Sequence, residues 1–184
     1  MRKLSVFNYA SLNGYFQGLN ADTTWHEHDD ESAQFSAESL RSGATLIFGR
    51  VTYDMMAGFW PTPAASEFMP ELAKLMNAAD KIVFSRELQT AEWSNTRVIS
   101  SNLVTAVTQL KDEAGKPLLI LGSGSLVTQL TAKGLIDEYQ IMIDPVALPA
   151  GTPLFRGIKE PLRLKLLSTR EFKSGSVLLT YAKA

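Results

Sequence analysis

The residues 118–130 read LLILGSGSLVTQL. Four apolar residues run into Gly122-Ser123-Gly124-Ser125, and an apolar-periodic segment opens at Leu126. That pattern reads as strand, tight turn and helix. Glycines let a ligand approach the backbone closely. The first turn of the following helix offers unpaired N–H groups and the positive end of a dipole, which together suit a phosphate. The hydroxyls of Ser123 and Ser125 add donors. A plain strand-to-helix turn fits the same letters equally well. Two familiar phosphate loops do not. A P-loop needs Lys-Ser/Thr where Leu126-Val127 stand. The dinucleotide fingerprint needs a third glycine where Val127 stands, although Asp144 lies 20 residues beyond Gly124.

Two further strand ends carry arginine. In FGRVTYD (48–54), Arg50 opens a helix directly after Gly49. A cation is poorly placed at a helix N-terminus, and a bound anion would relieve the conflict. Thr52 could donate a hydroxyl to the same anion. In IVFSR (82–86), Ser85 and Arg86 repeat the theme. Arginine makes bidentate contacts with phosphate. Two such ends and a glycine turn suit a long ligand with a monophosphate at the arginines and a pyrophosphate at the glycines. NADPH has that arrangement.

These stretches need elements to position them. Strands are expected over 3–9, 44–48, 81–84, 96–100, 117–121 and 136–143. Helices are expected over 32–42, 50–57, 67–78, 103–111 and 125–133. Residues 10–30 and 145–157 read as loops. Residues 162–172 and 176–182 alternate around Lys173-Ser174-Gly175 and read as a terminal antiparallel hairpin. Strands alternating with helices imply an α/β fold with a mixed, mostly parallel sheet and helices on its faces. Ligands of such sheets bind beyond the carboxyl ends of the strands. Nothing divides the 184 residues into two cores, so 1–184 is expected to form one domain.

The composition narrows the function. Net charge is −1, from 18 Lys plus Arg and 19 Asp plus Glu. No basic excess points to nucleic acid or an anionic membrane. The chain has no cysteine, which excludes disulfides, thiolate metal sites and cysteine nucleophiles. No apolar run approaches about 18 residues, so no membrane span is expected. Asn8, Ser11 and Asn13 interrupt the apolar start, a poor signal-peptide core, and a cytoplasmic protein is expected.

The ordered set SLNGYF (11–16), LIFGRVTYD (46–54), IVFSR (82–86), LLILGSGSLVTQL (118–130) and LIDEYQIMIDPVALPAGTPLF (135–155) resembles the dihydrofolate-reductase-like superfamily. It is most similar to the branch containing the C-terminal reductase domain of bacterial riboflavin biosynthesis. The resemblance covers nearly the whole chain and implies a central mixed sheet of about eight strands, NADPH as cofactor and a homodimer. Gly49, Arg50, Thr52, Ser85 and Arg86 would then serve the adenosine 2′-phosphate side. Gly122, Ser123, Gly124, Ser125 and Leu126 would serve the pyrophosphate. Ala10 and Asn13, beside and within the SLNGYF loop, would lie at the nicotinamide. That branch usually has aspartate at Asn13; an amide cannot act as a general acid.

Other proton donors and substrate contacts are therefore sought in WHEHDDES (25–32). Asp30 and Glu31 are candidates, against the alternative that the helix dipole simply favours acids there. His26 and His28 read as a solvated loop rather than metal ligands, and no metal is expected. Trp60, after the FGRVTYD helix, could line a substrate pocket or simply pack. No Ser-His-Asp constellation is evident. Three functions follow: an NADPH-dependent reductase of a small heterocyclic C=N or C=O substrate, the ribosylaminopyrimidine phosphate reductase of the riboflavin pathway, and a nucleotide-binding module without catalysis. The apolar strand IMI and the terminal hairpin are the expected dimer surfaces.

Overall fold

Strands such as TLIF and LLIL are apolar at consecutive positions because helices cover both of their faces. The computed structural model describes residues 1–184. In chain order its elements are β1 (Leu4–Ser11), β2 (Tyr15–Gln17), α1 (Asp30–Arg41), β3 (Thr45–Gly49), α2 (Arg50–Phe59), α3 (Pro63–Phe68), α4 (Pro70–Ala78), β4 (Lys81–Phe84), β5 (Thr96–Ile99), α5 (Leu103–Asp112), β6 (Leu118–Leu121), α6 (Gly124–Thr131), β7 (Glu138–Asp144), β8 (Thr152–Pro153), β9 (Leu164–Glu171) and β10 (Val177–Lys183).

The main sheet has eight strands in the order β5-β4-β3-β6-β1-β7-β10-β9. The six strands from β5 to β7 run parallel. β10 and β9 add an antiparallel edge. The expected mixed, mostly parallel sheet with a terminal hairpin is therefore present. Alternate side chains feed two cores. Leu46 and Phe48 join Leu40, Tyr53, Leu72 and Met76 of α1, α2 and α4 on one face. Ile47 joins Val107, Leu110, Val127 and Leu130 of α5 and α6 on the other.

Three expectations need correction. The helix expected over 67–78 is two helices, broken at Met69 (φ −140°, ψ 64°). Pro70 supplies no N–H and disfavours the α conformation at the residue before it. The helix expected from Ser32 starts at Asp30, because Asp29 accepts from the Ser32 N–H and Ser32 reciprocates toward the Asp29 N–H. The long loops at 10–30 and 145–157 contribute a small antiparallel ribbon, β2 with β8, outside the main sheet. Strand β7, which carries IMI, lies between β1 and β10 with Ile141 and Met142 buried and Ile143 half-buried. Leu166 and Leu167 of β9 are half exposed on the sheet edge. No helix is long and apolar enough to cross a membrane.

Candidate active site

The carboxyl ends of β3, β4, β5 and β6 open into one trench. At its first end Phe84, Ser85 and Arg86 face Ser100–Asn102 and the start of α6 around a hollow of about 410 Å³. Arg86 is exposed and has no carboxylate partner. Arg50 is different. Its guanidinium pairs with Asp54 at 2.8 Å and Glu87 at 3.0 Å. Those carboxylates resolve the conflict between Arg50 and the dipole of α2 without any ligand. Ser85 is also committed locally: its hydroxyl accepts from the N–H groups of Glu87 and Leu88.

The middle of the trench, about 640 Å³, runs over the glycine turn. Gly122 (φ 59°) and Ser123 (φ 55°) are both left-handed, which swings the chain from β6 into α6. Ser123 is buried, and its hydroxyl accepts from Gly49 N at 2.9 Å and donates to Leu121 O at 3.1 Å. Thr52 Oγ1 accepts from Ser123 N at 3.1 Å. Ser123 and Thr52 therefore staple the ends of β3 and β6 together; their hydroxyls, expected to face phosphate, are turned inward, whereas Ser125 is exposed and lines the trench. The N–H groups of Gly124 and Ser125 have no intrachain acceptor, and no acid occupies the first turn of α6. A Cβ on Gly124 would lie 2.6 Å from the Phe16 ring, so the glycine permits that ring to rest on the turn. Leu126 is buried and packs at the base of the trench.

The ribbon β2–β8 roofs the middle of the trench with Phe16, Gln17, Thr152 and Pro153. Beyond Phe16 lies a third compartment of about 210 Å³ lined by Tyr9, Trp25, His26, His28, Met56 and Trp60, among others. Phe16, Gln17, Thr52 and Ser123 border both the middle and the third compartment. Trp60 thus lines a cavity, with its indole N–H against the Met56 sulfur at 3.0 Å.

Several other expected residues lie elsewhere. Ala10 is buried under the ribbon with Ile141 and Leu154. Asn13 is a tether: Oδ1 accepts from Leu148 N (3.1 Å) and Ser11 Oγ (2.9 Å), and Nδ2 donates to Leu148 O (2.8 Å). A carboxylate could not make the donating contact, which gives the amide a structural reason. Asp30 is exposed at the start of α1. Glu31 accepts from Lys173 N and faces Arg170 of β9. Neither acid reaches the third compartment.

Sequence reading missed a pair 118 residues apart. His26 Nδ1 meets Asp144 Oδ2, and Asp144 Oδ1 accepts from Ser176 Oγ at 2.9 Å. All three residues are buried. The available signal was Asp144 itself, a charge that directly follows the apolar run IMI in EYQIMID. His26 lies against the Tyr9 ring, with centroids 3.6 Å apart, and meets His28 edge-on at 4.4 Å. Burial pushes the Tyr9 phenol up to about 12. His28 still touches solvent at the cavity mouth. Desolvation on its protein side, and then the neighbouring His26, hold it below the usual histidine value.

The family model for the RibD C-terminal domain matches residues 2–178. The chain belongs to that family. Among its relatives, the uncharacterized protein YyaP of Bacillus subtilis (strain 168) is 32% identical over 180 residues, covering 98% of this chain and 94% of YyaP. A putative riboflavin biosynthesis protein from Shewanella sp. PV-4 has the same fold, with TM-score 0.77, 20% identity and 99% coverage of both chains. A diaminohydroxyphosphoribosylaminopyrimidine deaminase/5-amino-6-(5-phosphoribosylamino)uracil reductase from Thermotoga maritima superposes with TM-score 0.68 at 12% identity, over 100% of this chain and 57% of that one. The eight-stranded sheet is thus that of a RibD C-terminal domain.

Proposed function

We propose that this RibD C-terminal-type domain is an NADPH-dependent reductase of a flat heterocyclic or conjugated carbonyl substrate. The observation that carries the reading is the continuity of the trench, from an unpaired arginine, past free helix N–H groups, to an aromatic cavity. Arg86 would bind the 2′-phosphate, with Arg50 free to join it by exchanging a carboxylate partner. The N–H groups of Gly124 and Ser125 would hold the pyrophosphate. The ribbon β2–β8 would cover the nicotinamide half and exclude water from the cavity. NADPH, when bound, supplies a hydride from C4 of its nicotinamide ring. The protein's work is then orientation, exclusion of solvent and provision of a proton.

The riboflavin-pathway reductase is the second reading, supported by the family match and by the activity named for the Thermotoga relative. The cavity bears against it. No Lys or Arg lines the third compartment, whereas a ribosyl phosphate substituent calls for a cationic partner. Incubation with NADPH and a panel of pterins, pyrimidine ribosides and pyrimidine riboside phosphates tests both. The proposal expects NADPH oxidation with an unphosphorylated heterocycle. Oxidation confined to the riboside phosphate would favour the pathway enzyme, and binding with no oxidation anywhere would favour a nucleotide-binding module.

A further inference from the structure

The third compartment contains a polar atom without a partner. His26 Nε2 is the one buried side-chain nitrogen or oxygen in the protein that makes no hydrogen bond. Such a group is destabilising unless something completes it. His26 is 7% exposed and lines the cavity, whereas Asp144, which takes Nδ1, does not line it. Nδ1 is taken by Asp144, so Nε2 sits on the other side of the ring, covered from solvent beside the cavity, and an acceptor reaches it by displacing a neighbouring side chain.

Resting on the reductase reading above, we propose that His26, held by Asp144, donates the proton that completes reduction of a C=N or C=O acceptor lying flat in the aromatic cavity. An ionised carboxylate only accepts, so Asp144 fixes a proton on Nδ1 and offsets the charge when Nε2 is protonated as well. Ser176 fills the other carboxylate oxygen and holds the carboxylate in place. The acceptor's π bond breaks, its carbon gains the hydride and its heteroatom gains the proton from Nε2. The electron pair of the hydride comes from NADPH, which leaves as NADP⁺. The neutral imidazole recovers a proton from water after product leaves. The other acids bordering the cavity suit the task less well. The Tyr9 phenol is pushed far from neutrality, His28 is held below the usual range, and no carboxyl group lines the cavity. Asp144 is a positioning residue.

The test compares wild type, His26→Gln and Asp144→Asn, with 7,8-dihydropterin as the C=N probe. NADPH affinity by fluorescence titration is expected to stay within about twofold in all three, since neither residue lines the cofactor trench. Wild-type hydride transfer is expected to fall through one ionisation as pH rises. His26→Gln is expected to be slower by about a hundredfold or more and to lose that ionisation. Asp144→Asn is expected to move its midpoint downward. The groups facing His26 are Asp144 from β7, Tyr9 from β1, and His28 and Asp29 from the segment leading into α1. Of these His28 is the other imidazole, and His28→Gln is expected to leave that ionisation in the profile, whatever it does to the rate. If His26→Gln fails to fold, the Asp144→Asn midpoint carries the same decision. Nitrogen NMR of labelled histidine supplies a readout without turnover: the probe is expected to move Nε2 of His26 and not Nδ1. An unchanged rate and profile in His26→Gln would overturn the assignment. So would a wild type that binds NADPH yet shows neither turnover nor an Nε2 response with the probe. Failure to bind NADPH would instead remove the reductase reading itself.

Discussion

Gly151→Ala is expected to lower stability by about 3 kcal/mol and to weaken NADPH binding by about tenfold or more. A Cβ at residue 151 would lie 2.1 Å from Gln17 O, 3.1 Å from Gln17 C and 3.2 Å from Gly18 Cα. All three are backbone atoms, so no side chain can rotate away. The ribbon β2–β8 must part instead, and with it the positions of Phe16, Gln17, Thr152 and Pro153 over the trench. The contrast is Gly58 in α2, where an added Cβ meets nothing within 4 Å. Gly58→Ala is expected to gain roughly 0.5–1 kcal/mol from helix propensity and a less flexible unfolded chain. Urea unfolding and a cofactor titration on the two variants check both halves. Equal behaviour of the two would show that the ribbon does not position the site.

Lys81→Met is expected to destabilise the fold by about 2–4 kcal/mol. Lys81 is 1% exposed. Its ammonium donates to the carbonyls of Met76 (2.9 Å), Asn77 (3.2 Å) and Ala79 (2.6 Å), and lies 4.5 Å from the centroid of the Trp93 ring. It therefore closes the C-terminus of α4, whose last carbonyls have no helical donor. Methionine fills similar space and leaves the Met76 and Ala79 carbonyls without that donor, while Asn77 O keeps the Asn95 amide at 3.3 Å. The two proteins should also differ in pH dependence. Burial pushes the Lys81 ammonium down to about 8. Between about 8 and its ordinary value near 10.5, the unfolded chain holds more protons than the folded one, so this group makes stability rise with pH there. Below that window both states are protonated and the full penalty is present. The Tyr9 phenol, raised to about 12, works in the opposite sense above 10, where the unfolded chain loses its proton first. Wild type should thus gain stability between pH 7.5 and 9.5 relative to Lys81→Met, by about 1–2 kcal/mol. Parallel pH slopes in urea unfolding would contradict this.

The sheet was legible because its signals are local. Continuous apolar runs such as TLIF and LLIL announce strands covered on both sides, and Gly122-Ser123-Gly124 announces the turn into α6. The break at Met69 was also legible in Pro70, although the apolar period across it reads as one helix. The site was legible only where a ligand group would meet backbone. Side-chain roles were not, because a hydroxyl or guanidinium reads the same whether it faces a ligand or the protein. The Ser123 hydroxyl bonds the backbone of β3 and β6, the Thr52 hydroxyl accepts from the Ser123 N–H, and Arg50 is neutralised by Asp54 and Glu87. The Asn13 amide binds both backbone groups of Leu148, 135 residues away. The His26–Asp144 pair depends on β7 lying beside β1, a pairing that no local pattern specifies.

The central claim is that the trench binds NADPH with its 2′-phosphate at Arg86. Calorimetric titration of NADPH and NADH into wild type and Arg86→Ala tests it most directly. A charge-assisted contact is worth about 1.5–3 kcal/mol, so NADPH affinity should fall by about tenfold or more while NADH affinity changes by less than about twofold. Equal losses for the two cofactors, or no loss for NADPH, would contradict it.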